Sequence, residues 1–415
     1  MTIPGSGIRA ATEVTMFHSI FRWWPVALLH AALCHAAPFI PAGDDTLVER
    51  LPVRIGDAAE RRQQRALREQ LRRHPAELSL ATRLARDAIA RARRDGDPRE
   101  LGQAQAALAP WWNELRPPAP VRLLRAIVRQ SQHDFDTALQ DLDALLQPGP
   151  QPVPLAIQAQ AELTRASVLQ VQGRWREADA GCERLLGAHY ADLGAAVRLP
   201  AQVCRAELMS LQGQAAQAAA ALAEIAQRPD VDAGWLALVR AELAERSADA
   251  AAAGVLYRRA IAASSSPDVY TLAAYADWLL AQHREREVAS LLAGREDADA
   301  LLLRLAIAWK RSADPRAAPA IATLAARFDA ARLRGDRSHG REQSRYQLDL
   351  RGDAPAALAS AQANWVVQKE PADALLLVRA ALAAKQPQAA QPVWQLIRDA
   401  GWQDARLQAL AGSGE

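Results

Sequence analysis

The stretch Arg165-Ala166-Ser167-Val168-Leu169-Gln170-Val171-Gln172-Gly173-Arg174-Trp175-Arg176-Glu177-Ala178-Asp179-Ala180-Gly181-Cys182 decides how the rest of the chain is read. Gly173 marks a turn between two helical segments. Ala166 stands seven residues before it, Ala178 five after it and Cys182 nine after it. Three other turn markers, His133, Gly213 and Ala248, repeat those offsets. Before them stand Ala126, Ala206 and Ala241; after them stand Ala138, Ala218 and Ala253, then the larger Leu142, Leu222 and Tyr257. A fifth marker, His283, keeps Ala276 and Leu292 but has Val288 in the second alanine's place. The markers lie 40, 40, 35 and 35 residues apart, so the unit is one helix pair with a loop of variable length.

Close packing explains the alanines. Two antiparallel helices joined by a tight turn approach closely only where both present a small side chain at the crossing. Alanine does this without glycine's cost of up to about 1 kcal/mol in a helix interior. The larger residue one turn further on fills the gap against the next pair. One alanine at a given place means little in an Ala-rich chain, whereas eight at fixed offsets around four turns define a repeat.

Composition agrees with an all-α chain. Half of the 415 residues are apolar, mostly Ala and Leu, which lose little rotamer freedom in a helix. Lysine occurs only at Lys310, Lys369 and Lys385; the other cations are arginines, interleaved with Glu and Asp along almost every helix. With a net charge of +3 and no basic stripe, the sequence predicts no nucleic-acid partner.

The amino terminus reads as a leader. From Met16, a plausible start of translation, come Phe17, His18 and Arg22, then an apolar run from Trp23 to Ala36 ending in Cys34-His35-Ala36-Ala37-Pro38. A weakly basic start, a short apolar stretch and small residues at the cut have the order of a secretory signal peptide over 1–36, cleaved after Ala36. The run is shorter than the roughly 20 residues needed to span a bilayer, so no stable membrane insertion is expected after cleavage. Ala31 and Leu33 before Cys34 are wrong for lipid anchoring. The expected organisation is then an extended segment and first helix over 37–75, a repeat array over 76–410 and a frayed tail over 411–415. Within it, Asp57 to Arg73 is read as the first helix, Glu77 to Trp112 as the first pair, 313 to 345 as carrying an overlong second helix, and Ala372 to Lys385 with Pro387 to Ala400 as the closing pair.

Gly173-Arg174-Trp175-Arg176-Glu177-Ala178 with Cys182 and Leu185-Leu186, and His133-Asp134-Phe135-Asp136-Thr137-Ala138, resemble the turn and second helix of the tetratricopeptide repeat family. The resemblance covers roughly residues 77 to 400. It departs in repeats longer than the usual ~34 residues and in a terminal proline that is often missing. What it implies is a right-handed superhelical solenoid of antiparallel helix pairs in an exported bacterial protein, binding a protein or peptide on the concave face lined by the first helix of each pair.

The search for chemistry finds little that converges. His74, His133, His189, His283 and His339 are scattered, mostly at helix ends and turns, and there is no Cys-x-x-Cys, phosphate-cradling loop or nucleophile elbow. No metal, cofactor or catalytic residue is expected. Cys182 and Cys204 fall on neighbouring helices of successive pairs; they are either a disulfide staple or small buried hydrophobes. Immediately before the first alanine of each pair stand Arg125, Arg165, Arg205 and Arg240. They either form a ridge that grips carboxylates of a partner or pair with acids such as Asp141, Glu183 or Glu242. The expected function is a non-catalytic periplasmic or secreted scaffold holding a protein or peptide partner in the cell envelope. The alternative is a structural subunit of an envelope assembly or export machine, and less favoured is an enzyme or lectin on a helical scaffold.

Overall fold

The computed structural model describes Gly43 and residues 58–149, 152–335 and 340–412. The predicted leader, Met16 and the extended segment up to residue 57 lie outside these, apart from Gly43, as does the end of the tail. Among the described residues there is no strand, and no helix is long and apolar enough to cross a membrane.

Among the described residues, α1 (Ala58–Arg73) is followed by nine helix pairs. They are α2 (Leu78–Asp95) with α3 (Arg99–Ala107) and its extension α4 (Ala109–Trp112), α5 (Ala119–Ser131) with α6 (Phe135–Leu146), α7 (Leu155–Val171) with α8 (Trp175–Leu186), and α9 (Ala195–Leu211) with α10 (Ala215–Ile225). Then follow α11 (Ala233–Arg246) with α12 (Ala250–Ala262), α13 (Val269–Ala281) with α14 (Glu285–Leu291), and α15 (Asp299–Arg311) with α16 (Ala317–Leu333). The last two are α17 (Gly340–Arg345), prolonged by a π-helical turn (Tyr346–Arg351), with α18 (Ala354–Val367), and α19 (Pro371–Ala383) with α20 (Gln391–Ala400). A final helix, α21 (Ala405–Ala411), follows, so Ala411 belongs to a helix and not to a frayed tail. The fold class is the expected one: an all-α solenoid of antiparallel pairs, tetratricopeptide-like in plan.

The turns work by one mechanism. His133, Gly173, Gly213, Ala248 and His283 all adopt left-handed backbone, with φ of 60°, 77°, 81°, 61° and 55°. The next residue donates its N–H to the carbonyl five residues back: Asp134 to Arg129 and Arg174 to Leu169 at 2.9 Å, Gln214 to Met209 at 3.0 Å. Asp249 to Ala244 and Arg284 to Leu279 repeat it at 2.9 and 3.0 Å. This closure satisfies carbonyls that the helix end would leave bare. Alanine and histidine adopt left-handed backbone at a cost that glycine does not incur. Ala248→Gly is therefore expected to stabilise the fold by about 1 kcal/mol, read as a rise in urea midpoint at unchanged slope.

The eight crossing alanines are at most 1% exposed, as are Ala276, Val288 and Leu292. They sit where paired helices cross, and the larger Leu142, Cys182, Leu222 and Tyr257 are equally enclosed. The 313–345 stretch does carry an overlong second helix, α16 with 17 residues, which stops at Leu333 before Gly335 takes left-handed backbone at φ 72° and α17 opens a new pair.

Candidate functional site

An open solenoid would leave one face of its first helices bare. Here α11, α15 and α19 are largely enclosed. Along α15, every residue from Leu301 to Trp309 is buried, and α11 and α19 each bury runs that cover both faces. Among the described residues, these three helices do not present the exposed face that the expected concave groove requires.

Part of the cause is that the array closes on itself. The backbone N–H of Lys369, just before α19, donates to the carbonyl of Val171 at the end of α7, at 2.7 Å. Gln368 reaches the His133 ring at 3.1 Å. A Cβ on Gly213 would stand 2.7 Å from the carbonyl oxygen of Gly401, so only glycine lets these two backbones meet. Trp402 packs edge-on against Trp175 with ring centres 5.6 Å apart. Arg406 of α21 bonds Glu245 of α11 at 2.9 Å, across 161 residues of sequence. The turns of three consecutive early pairs and the end of α11 thus form a seat for the last helices. One apolar core joins Phe135, Leu139, Leu169, Trp175, Leu208 and Leu211 to Leu358, Trp365, Leu377, Val393, Trp402 and Leu407. Further along the wrap, Val269 at the start of α13 meets Gly96 between α2 and α3.

Three of the four ridge arginines are held within the fold. Arg125 is 5% exposed and binds Asp141 through Nε at 2.8 Å and Nη2 at 2.6 Å, while its Nη1 donates to the carbonyls of Trp112 and Glu114. Arg165 of α7 bonds Asp143 of α6 at 2.6 Å, and Arg205 of α9 bonds Asp179 of α8 at 3.1 Å with Glu183 at 3.8 Å. Arg165 and Arg205 stitch each pair to the one before. Arg240 alone is half-buried with no hydrogen bond or ion pair to the described residues.

A second set of charges was not read from sequence. Asp277 of α13 accepts from Arg304 of α15 at 2.7 and 3.1 Å and from Arg345 of α17 at 2.5 Å. Burial alone would raise its pKa, but the two guanidinium groups outweigh it and hold the carboxyl at about 2. Beyond it, Asp349 in the π-helical turn accepts from Arg379 of α19 at 2.5 Å. Lys310 caps that turn by donating to the carbonyls of Asp349 and Leu350 at 3.1 and 2.7 Å. Asp373, 2% exposed, receives Arg341 at 2.6 and 2.8 Å and Asn364 at 2.8 Å. Four successive first helices are thereby tied by alternating charges. The signal was present in Arg304, a lone cation inside the apolar run Leu301–Trp309.

Inside the wrap, half-exposed Tyr270 donates to Glu242 at 2.8 Å. Nearby Glu207 makes no hydrogen bond through its carboxylate to the described residues, and burial, then the charges of Glu242 and Glu370 against Arg246, raise its pKa to about 7. The folded chain holds this proton more tightly than the unfolded chain, whose carboxyl titrates near 4.5. Its contribution is therefore full below about pH 4.5 and is lost as pH rises through about 7. Glu207→Gln is expected to stabilise the protein at pH 8 and to leave it nearly unchanged at pH 4, by urea midpoints at the two values.

The Sγ atoms of Cys182 on α8 and Cys204 on α9 are bonded, with Cα atoms 6.2 Å apart. Trp175, Trp278 and Trp365 are core residues, Trp111 and Trp112 half-buried, and Trp235 is 38% exposed. His74, His189 and His283 are exposed, His133 is half-buried at its turn, and His339 lies outside the described residues. Among the described residues no three His, Cys, Asp or Glu side chains group as a metal would need.

The described residues thus form an all-α array of helical repeats. No family model and no curated protein matches it. Among solved structures it is similar to the APC/C hetero-tetramer Cut9-Hcn1, at 14% identity over 84% of this chain and 78% of that one, with a TM-score of 0.31. The TPR domain of P58(IPK) is also similar, at 14% identity over 75% of this chain and 99% of that one, with a TM-score of 0.21. The architecture rests on the helix pairs themselves.

Proposed function

We propose that the protein is a non-catalytic scaffold that binds a protein or peptide partner in the cell envelope through its outer helices and end pairs. The observation that carries this is the self-closure of the array, which encloses α11, α15 and α19 and leaves the second helices with an exposed face. A structural subunit of an envelope assembly or export machine is the form of this reading that the closure favours. The alternative, a peptide in the inner groove, requires the C-terminal helices to leave their seat. Export is supported by the leader-like run before Ala37 and by the bonded pair Cys182 and Cys204, since disulfides persist in oxidising compartments.

Capture from envelope extract by the wild-type chain, and by a Trp402→Ala chain whose seat is loosened, distinguishes these readings. The same protein retained by both supports outer-surface binding. A protein retained only by the loosened chain places the partner in the groove and overturns it. Loss of that protein in Arg240→Ala would assign the one unpaired ridge arginine to recognition. Ready alkylation of both cysteines in intact cells without reductant would refute export.

A further inference from the structure

Between α1 and the first pair lies a half-open cavity of about 410 Å³. That volume is within the range of about 300–1,000 Å³ that takes a small-molecule ligand. Its wall is mainly apolar, with Leu71, Leu84, Ala88, Ala106 and Pro110 among its residues. Arg68, Arg72 and Arg91 also line it.

These arginines differ in how far they are neutralised. Arg91 is taken, binding Glu100 through Nε and Nη2 at 3.0 and 2.9 Å. Arg72 shares one carboxylate, Glu69, with Arg73. Arg68 is exposed and has no carboxylate partner among the described residues; it makes only long bonds, 3.3 Å to the Gln64 carbonyl and 3.4 Å to Gln103. The surplus extends along the helix, since α1 carries six arginines against two glutamates, net +4, more than the whole chain's +3. In the same wall Gln64 holds its Oε1 away from solvent with no hydrogen-bond partner among the described residues.

An apolar cavity beside under-neutralised guanidinium groups is complementary to a molecule with one apolar tail and one anionic head. We infer that this cavity is a binding site for a single-chain anionic lipid, its acyl chain against Leu71, Leu84 and Ala88 and its carboxylate at Arg68 and Arg72. Guanidinium groups suit this task because they stay charged and present paired donors to a carboxylate. The apolar wall supplies affinity in proportion to the tail area it removes from water. A carboxylate has no proton to give, so Gln64 Oε1 takes no part in holding the head. The site is independent of the outer-surface reading above.

The test titrates the full chain with decanoate, with decanol and with acetate by calorimetry, each below its aggregation limit. Decanoate is expected to bind saturably at one site, decanol more weakly and acetate not at all. The double variant R68Q/R72Q should lower decanoate affinity roughly tenfold or more and leave decanol unchanged, as loss of charge-assisted bonds requires. Ala106→Phe, at an exposed position in the wall, should block both tailed ligands while circular dichroism shows unchanged helix content. Equal affinity for decanoate and decanol, unaltered binding in Ala106→Phe, or no saturable decanoate binding would each overturn the assignment.

Discussion

Asp141→Ala is expected to lower stability by about 3–5 kcal/mol, because it strands the Arg125 guanidinium, 5% exposed, without its counter-charge. Both Asp141 oxygens are in use, at 2.6 and 2.8 Å to Arg125 and at 2.7 Å to Arg129. The two carbonyls that also receive Arg125 remain in place, but neutral oxygens do not offset a buried positive charge. The control is the double replacement Arg125→Met with Asp141→Leu. It removes the charges together and should recover most of the loss, since a buried ion pair contributes little net stability over an apolar pair of similar size. A guanidinium-chloride melt followed through the N-terminal pairs reads both. A loss below about 1 kcal/mol for Asp141→Ala would mean that water reaches Arg125 and that the pair behaves like a surface one.

Trp402→Ala should act elsewhere and in another way. The side chain is 2% exposed and rests on Trp175 in the core shared by the two ends of the array. Truncating a buried Trp costs about 3–5 kcal/mol in transfer and cavity terms. Here that energy holds a seat between distant segments, so the expected response is local opening before global unfolding. Amide exchange should accelerate first at Lys369, whose N–H is bonded to Val171, while the amides around Ala126 and Ala138 keep their protection. Trp402→Phe is the matched control. The indole N–H is buried with no partner among the described residues, so phenylalanine loses no hydrogen bond and should cost much less. Uniform acceleration at every pair would show that the seat and the repeats unfold together.

What the sequence revealed and what it hid follow from the range of the interactions concerned. Ala126, Ala138 and their equivalents were legible because a crossing between adjacent helices recurs at each repeat and leaves a periodic mark. The turns were legible for the same reason, although at His133 and Ala248 the left-handed backbone is imposed by the helix-end hydrogen bonds and not by a glycine. The ridge was found as a column of arginines, but its direction was not. Whether Arg165 meets a ligand or Asp143 depends on where the preceding helix places an aspartate, which one position per repeat does not encode. The charges around Asp277 and Arg304 join every other helix and carry no fixed offset. Least legible was the seat: Arg406 and Glu245 meet once, with no second copy for the eye to align.

Repeat arrays ordinarily obey nearest-neighbour thermodynamics, each unit coupled only to those beside it, with terminal units melting first. Lys369 bonded to Val171 and Trp402 lodged on Trp175 impose something closer to a periodic boundary, in which the helices that flank them complete the interior of the second, third and fourth pairs. During synthesis Phe135, Leu139, Leu208 and Leu211 therefore stay uncovered until the segment from Leu358 to Leu407 has emerged. Chains shortened at the carboxyl end inherit that sticky vestibule permanently, and their solubility should fall abruptly, not in proportion to the length removed.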